Sequence, residues 1–291
     1  MPRDVPSRKI IKRASQVLGF WQRLLRARLK YTTDDPRWKD VQAFCLFVGY
    51  PRSGSTLLAS ILNAHPDAVL AHEADVLGLV RFGLNRDQLC EALMHCADEF
   101  AASGNEWEGY AYNLGQWQGR HRTLRVLGDK EAGMTSVRLA KRPDLVESLQ
   151  ARCQVPIKAV HVVRHPLDNI STMFQRGRYP ILGLPLSRCV ADYERMCLAA
   201  NRLGEQLPAN GVLVTRHEDL LREPRAKIEE ACKFLGLSAQ PDYFDQAAGI
   251  VQSAPSQTRH QVEWSNDDLQ AVRELVARVD SHQSYRGEIS L

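Results

Sequence analysis

Long apolar runs are absent from this chain, and acidic residues are almost absent from its first thirty positions. No hydrophobic stretch approaches the roughly 18–20 residues that a bilayer-spanning helix needs, so no transmembrane span is expected. Met1 to Ile10 is polar and basic, with no apolar segment ending in small residues, so no secretory signal is expected either. The cysteines (Cys45, Cys90, Cys96, Cys153, Cys189, Cys197 and Cys232) contain no CxxC pair. An odd, unclustered set argues against a disulfide scaffold and a zinc site, and for free thiols in a reducing compartment such as the cytoplasm. Internal repeats and low-complexity segments are missing too.

What is present is an uneven charge. Residues 1–30 hold nine Lys/Arg and one Asp, a balance of +8, so the chain total of +4 leaves the remainder at −4. The protein is therefore not basic overall but carries a basic arm, taken as residues 1–40, ahead of one domain over 41–291. Within the arm Ile10, Ala14, Val17, Leu18, Trp21, Leu24 and Leu25 recur at helical spacing. Arg8, Lys9, Lys12, Arg13, Arg23, Arg26 and Arg28 lie between them. Such a helix packs its apolar face on the domain or lies on an anionic membrane surface, giving a peripheral location. A cleaved organellar presequence is a third reading.

Beyond the arm, strands alternate with helices. Phe44–Val48 is a short continuous apolar run, the pattern of a strand buried on both faces. Ser55–Asn63 reads as a helix, and helical spacing runs from Asp75 to about Trp117, broken at Gly83 and Gly104. Thr123–Leu127, Ile157–Val163 and Gly211–Thr215 read as further strands. Pro166–Phe174, Ser187–Leu207 and Arg225–Leu235 read as helices, and Ser265 caps a last one running to about Val279. This order predicts an α/β fold with a mainly parallel central sheet flanked by helices, hence three layers. Ligands of such sheets bind beyond the carboxyl ends of the strands, so the residues after Val48, Leu127 and Val163 come first.

After the first strand stands Gly49-Tyr-Pro-Arg-Ser-Gly54-Ser55-Thr56. The spacing is that of a P-loop, whose backbone N–H groups and helix N-terminus face a phosphate. Ser55 occupies the place of the lysine that reaches the outer phosphates of a nucleoside triphosphate, which argues against an ATPase or GTPase. The cation is Arg52 instead, and its fork suits a group with several peripheral oxygens.

The segment Pro51-Arg52-Ser53-Gly54-Ser55-Thr56 resembles the 5′-phosphosulfate loop of the sulfotransferases that use 3′-phosphoadenosine 5′-phosphosulfate (PAPS). The form is that of the tyrosylprotein branch, and Leu62-Asn-Ala-His-Pro66 followed by His72-Glu73 is similar to that branch as well. The likeness spans roughly residues 42 to 265 and is strongest at four islands. It implies a P-loop-type fold, PAPS as sulfonate donor, no metal and a hydroxyl-bearing acceptor. At the second island, Val162-Val-Arg164-His-Pro-Leu-Asp-Asn-Ile-Ser171-Thr172, it implies that Arg164 and Thr172, with Ser171 beside it, bind the 3′-phosphate. Family members have Ser at the second place, so the hydroxyl is kept while the residue differs. Lys130, in Leu127-Gly-Asp-Lys130, matches the lysine that contacts the bridging oxygen of the donor. The fourth island, Val214-Thr-Arg-His217-Glu-Asp-Leu220 through Phe234-Leu-Gly-Leu237, departs from the family by placing His217 where a tyrosine near the adenine is usual. Glu218 and Asp219 are read as fixing the following turn.

Sulfonyl transfer needs an acceptor oxygen relieved of its proton, an in-line approach and a stabilised leaving group. Glu73 sits where the tyrosylprotein branch places its carboxylate base. Adjacent His72 is the alternative, since a histidine serves in the cytosolic aryl branch. Thr258 and Arg259, in the polar loop before the last helix, are candidates for a hydroxyl and a basic residue folding over the nucleotide. A P-loop kinase using Arg52, or a non-catalytic nucleotide-binding adaptor, are the competing readings. No nucleic-acid partner is expected.

Overall fold

Alternation along β1 (Ala43–Val48) shows why this segment occupies the middle of the fold. Phe44, Leu46 and Val48 enter one hydrophobic cluster, while Ala43, Cys45 and Phe47 enter another on the opposite face. Side chains of successive strand residues point to opposite faces, so a run that is apolar throughout must be covered on both. The computed structural model describes residues 6–30, 34–107, 109–115, 117–177, 179–251 and 254–290, with side chains from residue 17 onward. The side chains of Ile10 and Ala14 and of the basic residues up to Arg13, like Ser253, lie outside the described residues.

Six more strands follow: β2 (Ala68–His72), β3 (Glu106–Trp107), β4 (Tyr110–Ala111), β5 (Val126–Lys130), β6 (Ile157–Val163) and β7 (Val212–Arg216). Four of them join β1 in one parallel sheet in the order β2-β5-β1-β6-β7, and β3 and β4 make a small antiparallel hairpin. The helices are α1 (Pro6–Lys30), α2 (Ser55–Asn63), α3 (Val76–Arg81), α4 (Arg86–Ala102), α5 (Ala132–Lys141) and α6 (Leu145–Cys153). They continue as α7 (Pro166–Arg176), α8 (Leu186–Gln206), α9 (His217–Arg222), α10 (Pro224–Leu235), α11 (Pro241–Gly249) and α12 (Asn266–Arg278). One sheet face packs on α3, α4, α6 and α8, the other on α2 and α10, which makes the three layers expected. Ser265 caps α12 as predicted, accepting from Asp268 N at 3.1 Å. No helix among the described residues is long and apolar enough to cross a membrane.

Three expectations need correcting. β2 is a strand that the sequence reading passed over, because Ala68–His72 is short and lacks a β-branched run. The second strand is Val126–Lys130 rather than Thr123–Leu127, since pairing with β1 begins only at Val126. Lys130 is thus the last residue of a strand and not the first of a loop. The helical stretch from Asp75 to Trp117 resolves into α3, α4 and the β3–β4 hairpin. Gly83 and Gly104 interrupt it at positive φ, as read, and Asn105 beside the second is also left-handed.

In the arm, the apolar residues divide between two faces. Leu24 and Ala27 are buried with Phe20 packed beside them, against a core shared with α4, whereas Val17, Leu18, Trp21 and Leu25 face outward. The packing and membrane readings therefore concern different residues of one helix.

Gly128 is where the sheet tolerates least. A Cβ there would lie 2.3 Å from Cys45 O and 2.6 Å from Leu70 Cδ2, between two neighbouring strands. Gly128→Ala is expected to destabilise the protein by about 3 kcal/mol, the upper part of the range for overpacking a closed core. Urea unfolding measures this, and a change below about 0.5 kcal/mol, the scatter of surface substitutions, would contradict the packing described.

Candidate active site

β1, β5 and β6 lie side by side in the sheet, so their carboxyl ends open on one edge and deliver three of the four islands together. From β1 the chain enters the loop Gly49–Gly54 and then α2. Gly54 precedes the first turn of α2 at φ 94°, and a Cβ there would lie 2.3 Å from His217 Nδ1. Only glycine suits both the conformation and the contact. Arg52 is left-handed at φ 73° without being glycine, a conformation that costs of order 1–3 kcal/mol and is held by its surroundings. Those surroundings grip the loop by its carbonyls. Asn169 Nδ2 donates to Pro51 O at 3.0 Å and Arg164 to Arg52 O at 3.2 Å. Ser53 and Ser55 are buried, and Thr56 follows in the first turn of α2.

Arg164, directly after β6, is nearly fully buried and forms the hub of this corner. Besides Arg52 O it donates to Thr172 Oγ1 at 3.3 Å and to Ser256 O and Oγ at 2.7 and 3.0 Å. Thr172 lies two helical turns along α7, which returns its hydroxyl to the arginine. It donates to Asp168 O at 2.8 Å and lies 2.9 Å from Thr258 Oγ1. Ser171, about 100° away around the helix, does not meet Arg164, although it is fully buried. Arg259 does not face this cluster as a free cation. Its guanidinium forks onto Asp168 (2.7 Å to Oδ2) and its Nη1 lies 2.9 Å from His165 Nε2.

Burial holds the guanidinium of Arg164 below its usual value, and burial followed by the charge of Arg176 does the same to Arg52. His217, at the start of α9, is brought down to about 4 by burial and then by Arg164, so it is neutral at pH 7. Ser53 Oγ, Ser171 Oγ, Arg164 Nε and His217 Nδ1 are buried with no hydrogen-bond partner among the described residues. Buried polar atoms are rarely left unmatched, so their gathering here fits a ligand rich in acceptors. A phosphorylated nucleotide meets that requirement.

Lys130 ends β5 opposite His72 of β2, and this register sets Glu73 beside it. Lys130 Nζ donates to Glu73 Oε1 at 2.9 Å, and Glu73 N donates to Lys130 O at 3.1 Å. The two candidate bases differ in setting. The His72 side chain is 6 % exposed, stacked on Phe100 at 3.9 Å and met edge-on by Trp107 at 4.5 Å, whereas Glu73 is 22 % exposed. From the other side Arg23 of α1 donates to Glu73 O at 3.3 Å.

Sequence reasoning missed what shapes this loop. Glu73 and Asp75 are both left-handed, at φ 58° and 60°. Asp129, fully buried, accepts from Ala74 N at 3.0 Å and Val76 N at 2.8 Å, and Asp75 pairs with Arg138. Burial raises the Asp129 carboxyl from 3.8 to about 6 although both N–H groups pull the other way. Burial, followed by the charge of Glu73, raises Glu131 well above the usual carboxylate range. An aspartate beside the lysine was visible in the sequence; its inward direction came only with the strand register. Ser256 was likewise missed, since nothing marks it within its polar loop.

Asp129 gives a pH signature. Its folded value exceeds its unfolded one, so it favours the fold fully below about pH 4 and loses that contribution as pH rises through about 6. The loss amounts to about 2–3 kcal/mol. Urea unfolding across this window should show a segment of falling stability that Asp129→Asn flattens; the same slope in both proteins would refute a buried, raised Asp129.

A protein-family model described as the sulfotransferase family matches residues 46–241, more than half of the chain. Comparison with curated proteins returned no match. A sulfotransferase from Mycobacterium avium aligns with TM-score 0.50 at 11 % identity, covering 85 % of this chain and 80 % of that one. The sulfotransferase domain of a Synechococcus olefin synthase aligns with TM-score 0.46 at 20 % identity, over 79 % and 83 % of the two chains. A mouse sulfotransferase complexed with PAP gives TM-score 0.46 at 13 % identity, over 87 % and 92 %. At 11 % identity the likeness to the Mycobacterium avium enzyme speaks to the fold alone.

Proposed function

The chain belongs to the sulfotransferase family, and on that premise we propose that it moves a sulfonate from PAPS to a hydroxyl acceptor with Glu73 as base. It is a sulfotransferase enzyme of parallel α/β fold; donor, base and acceptor class are the proposal. The observation that carries it is the Glu73–Lys130 pair, 2.9 Å apart at the ends of adjacent strands, on the sheet edge that also carries the phosphate loop. A nucleotide-binding adaptor has no use for that pair. The missing P-loop lysine weighs against a kinase.

PAPS supplies the sulfonate in activated form, on a mixed phosphate–sulfate anhydride. The N–H groups at the start of α2, with Arg52 and the hydroxyls of Ser53, Ser55 and Thr56, suit its 5′-phosphosulfate. Arg164 and Thr172 suit the 3′-phosphate, through a charge-assisted fork and a neutral donor. On this reading Ser256 and Thr258 yield part of their bonding to the phosphate. His217, neutral and against Gly54, borders the loop without adding charge. Glu73 takes the proton from the acceptor hydroxyl as its oxygen bonds to sulfur. The bridging S–O bond breaks and leaves negative charge on the 5′-phosphate, where the Lys130 ammonium neutralises it. His72, enclosed by Phe100 and Trp107, holds the wall of the site. The free, buried cysteines support a reducing compartment, the cytoplasm.

Two experiments test this. Calorimetry should show adenosine 3′,5′-bisphosphate binding far more tightly than AMP, with Arg164→Ala losing roughly 1.5–3 kcal/mol of that preference. Equal affinities in the unmodified protein would remove Arg164 and Thr172 from the donor site. In turnover with PAPS, Glu73→Gln should fall at least about a hundredfold with nucleotide affinity nearly unchanged. A more acidic phenol should partly rescue Glu73→Gln but not Lys130→Ala, whose defect lies on the donor side. Activity close to normal in Glu73→Gln, with His72→Ala dead, would transfer the role of base to His72.

A further inference from the structure

Helix α1 keeps one apolar face for the domain and a second for something else. On the inner face Leu24 and Ala27 are buried, with Phe20 packed against them. On the outer face Val17, Leu18, Trp21, Leu25 and Leu29 follow helical spacing and are between 49 and 76 % exposed. Phe82, just past the end of α3 and 38 % exposed, extends this stripe, its ring 5.1 Å from Trp21. Six of the ten exposed large hydrophobic side chains among the described residues thus share one patch, whereas isolated ones need no explanation.

Charge identifies the occupant. Pro6–Lys30 contains eight Lys/Arg and no Asp/Glu. Arg28 is exposed beside the patch and donates to Phe82 O at 2.7 Å, and exposed Arg81 and Lys30 stand at the neighbouring chain positions. A second copy docked face to face through this stripe would bring Arg28, Lys30 and Arg81 against cations of the same kind. An acidic surface with an apolar interior meets both the stripe and its charge. We infer that the outer face of α1, with Phe82, docks the enzyme on an anionic lipid bilayer, lying in the headgroup plane rather than crossing it. Trp21 and Phe82 are the aromatic anchors, at the depth where such rings settle. This inference concerns where the enzyme works and stands apart from the donor and base.

The test uses the full chain with phosphatidylcholine vesicles prepared with and without phosphatidylserine. The protein should co-sediment with the anionic vesicles and be released as salt rises. Replacing the exposed trio (Leu18→Ser, Trp21→Ser, Leu25→Ser) should lower partitioning at least about tenfold, since each removes apolar surface from the contact. Circular dichroism and turnover on a soluble acceptor should not change. As a gentler probe, brominated lipid should quench tryptophan fluorescence, and Trp21→Phe, which keeps the apolar surface, should abolish most of that quenching. Absence of binding to anionic vesicles, or equal partitioning of the triple variant, overturns the inference. A concentration-dependent dimer lost in the triple variant, with no vesicle binding, also overturns it and assigns the face to a second copy.

Discussion

One buried carboxylate holds the carboxyl edge of the sheet in shape at β2 and β5. Asp129 sits at the penultimate position of β5 and accepts the N–H groups of Ala74 and Val76 across the end of the sheet. That clamp bends the chain leaving β2 so that Glu73 and Asp75 both take left-handed conformations, which a free chain of these residues avoids. The next residue of the same strand, Lys130, then finds Glu73 within hydrogen-bonding reach. Two bonds to N–H groups oppose the desolvation of Asp129 without cancelling it, so its carboxyl stays high at about 6. The strain and the desolvation are local, and the sheet around them bears both.

A second centre, across β1, is built with the opposite sign. Arg164 ties the phosphate loop, α7 and the 254–261 loop together through Arg52 O, Thr172 and Ser256. Nearby, Arg259 is matched within the protein by Asp168. Here burial holds the guanidiniums of Arg164 and Arg52 below their usual values, and the buried hydroxyls of Ser53 and Ser171 have no hydrogen-bond partner among the described residues. An anionic ligand would supply what the protein withholds. Thus the ends of β2 and β5 position the Glu73–Lys130 pair and β6 the Arg164 cluster, and β1, beside β5 and β6, delivers the loop from Gly49 to Gly54.

Helix α1 relates to this edge through its inner side. Arg23 reaches Glu73 O, and Arg26 pairs with Glu91 of α4, so the helix is bound to the domain by charge as well as by Leu24 and Ala27. Fixing the inner face in this way leaves the outer stripe uncovered and fixes its direction.

Much of this was legible in the residues themselves. Strands buried on both faces announce themselves as apolar runs, which is why β1 and β6 and the alternation with helices were read correctly. The loop between β1 and α2 was legible because its signal is local: glycines at fixed spacing, a strand before and a helix after. Other features depended on pairing between distant segments. β2 was hidden because five residues carry too little pattern, and with it went the register that joins His72 to Lys130. The spacing of Leu24 with Leu18 and Leu25 showed one amphipathic helix, but a wheel has no outside until a neighbour covers part of it. Arg164 and Thr172 stood eight positions apart, yet the turn of Thr172 rather than Ser171 toward the arginine came from the phase of α7 on the sheet. Periodicity and local motif are properties of the chain. Register, helix phase and the direction of a buried carboxylate are decided by what lies across from it.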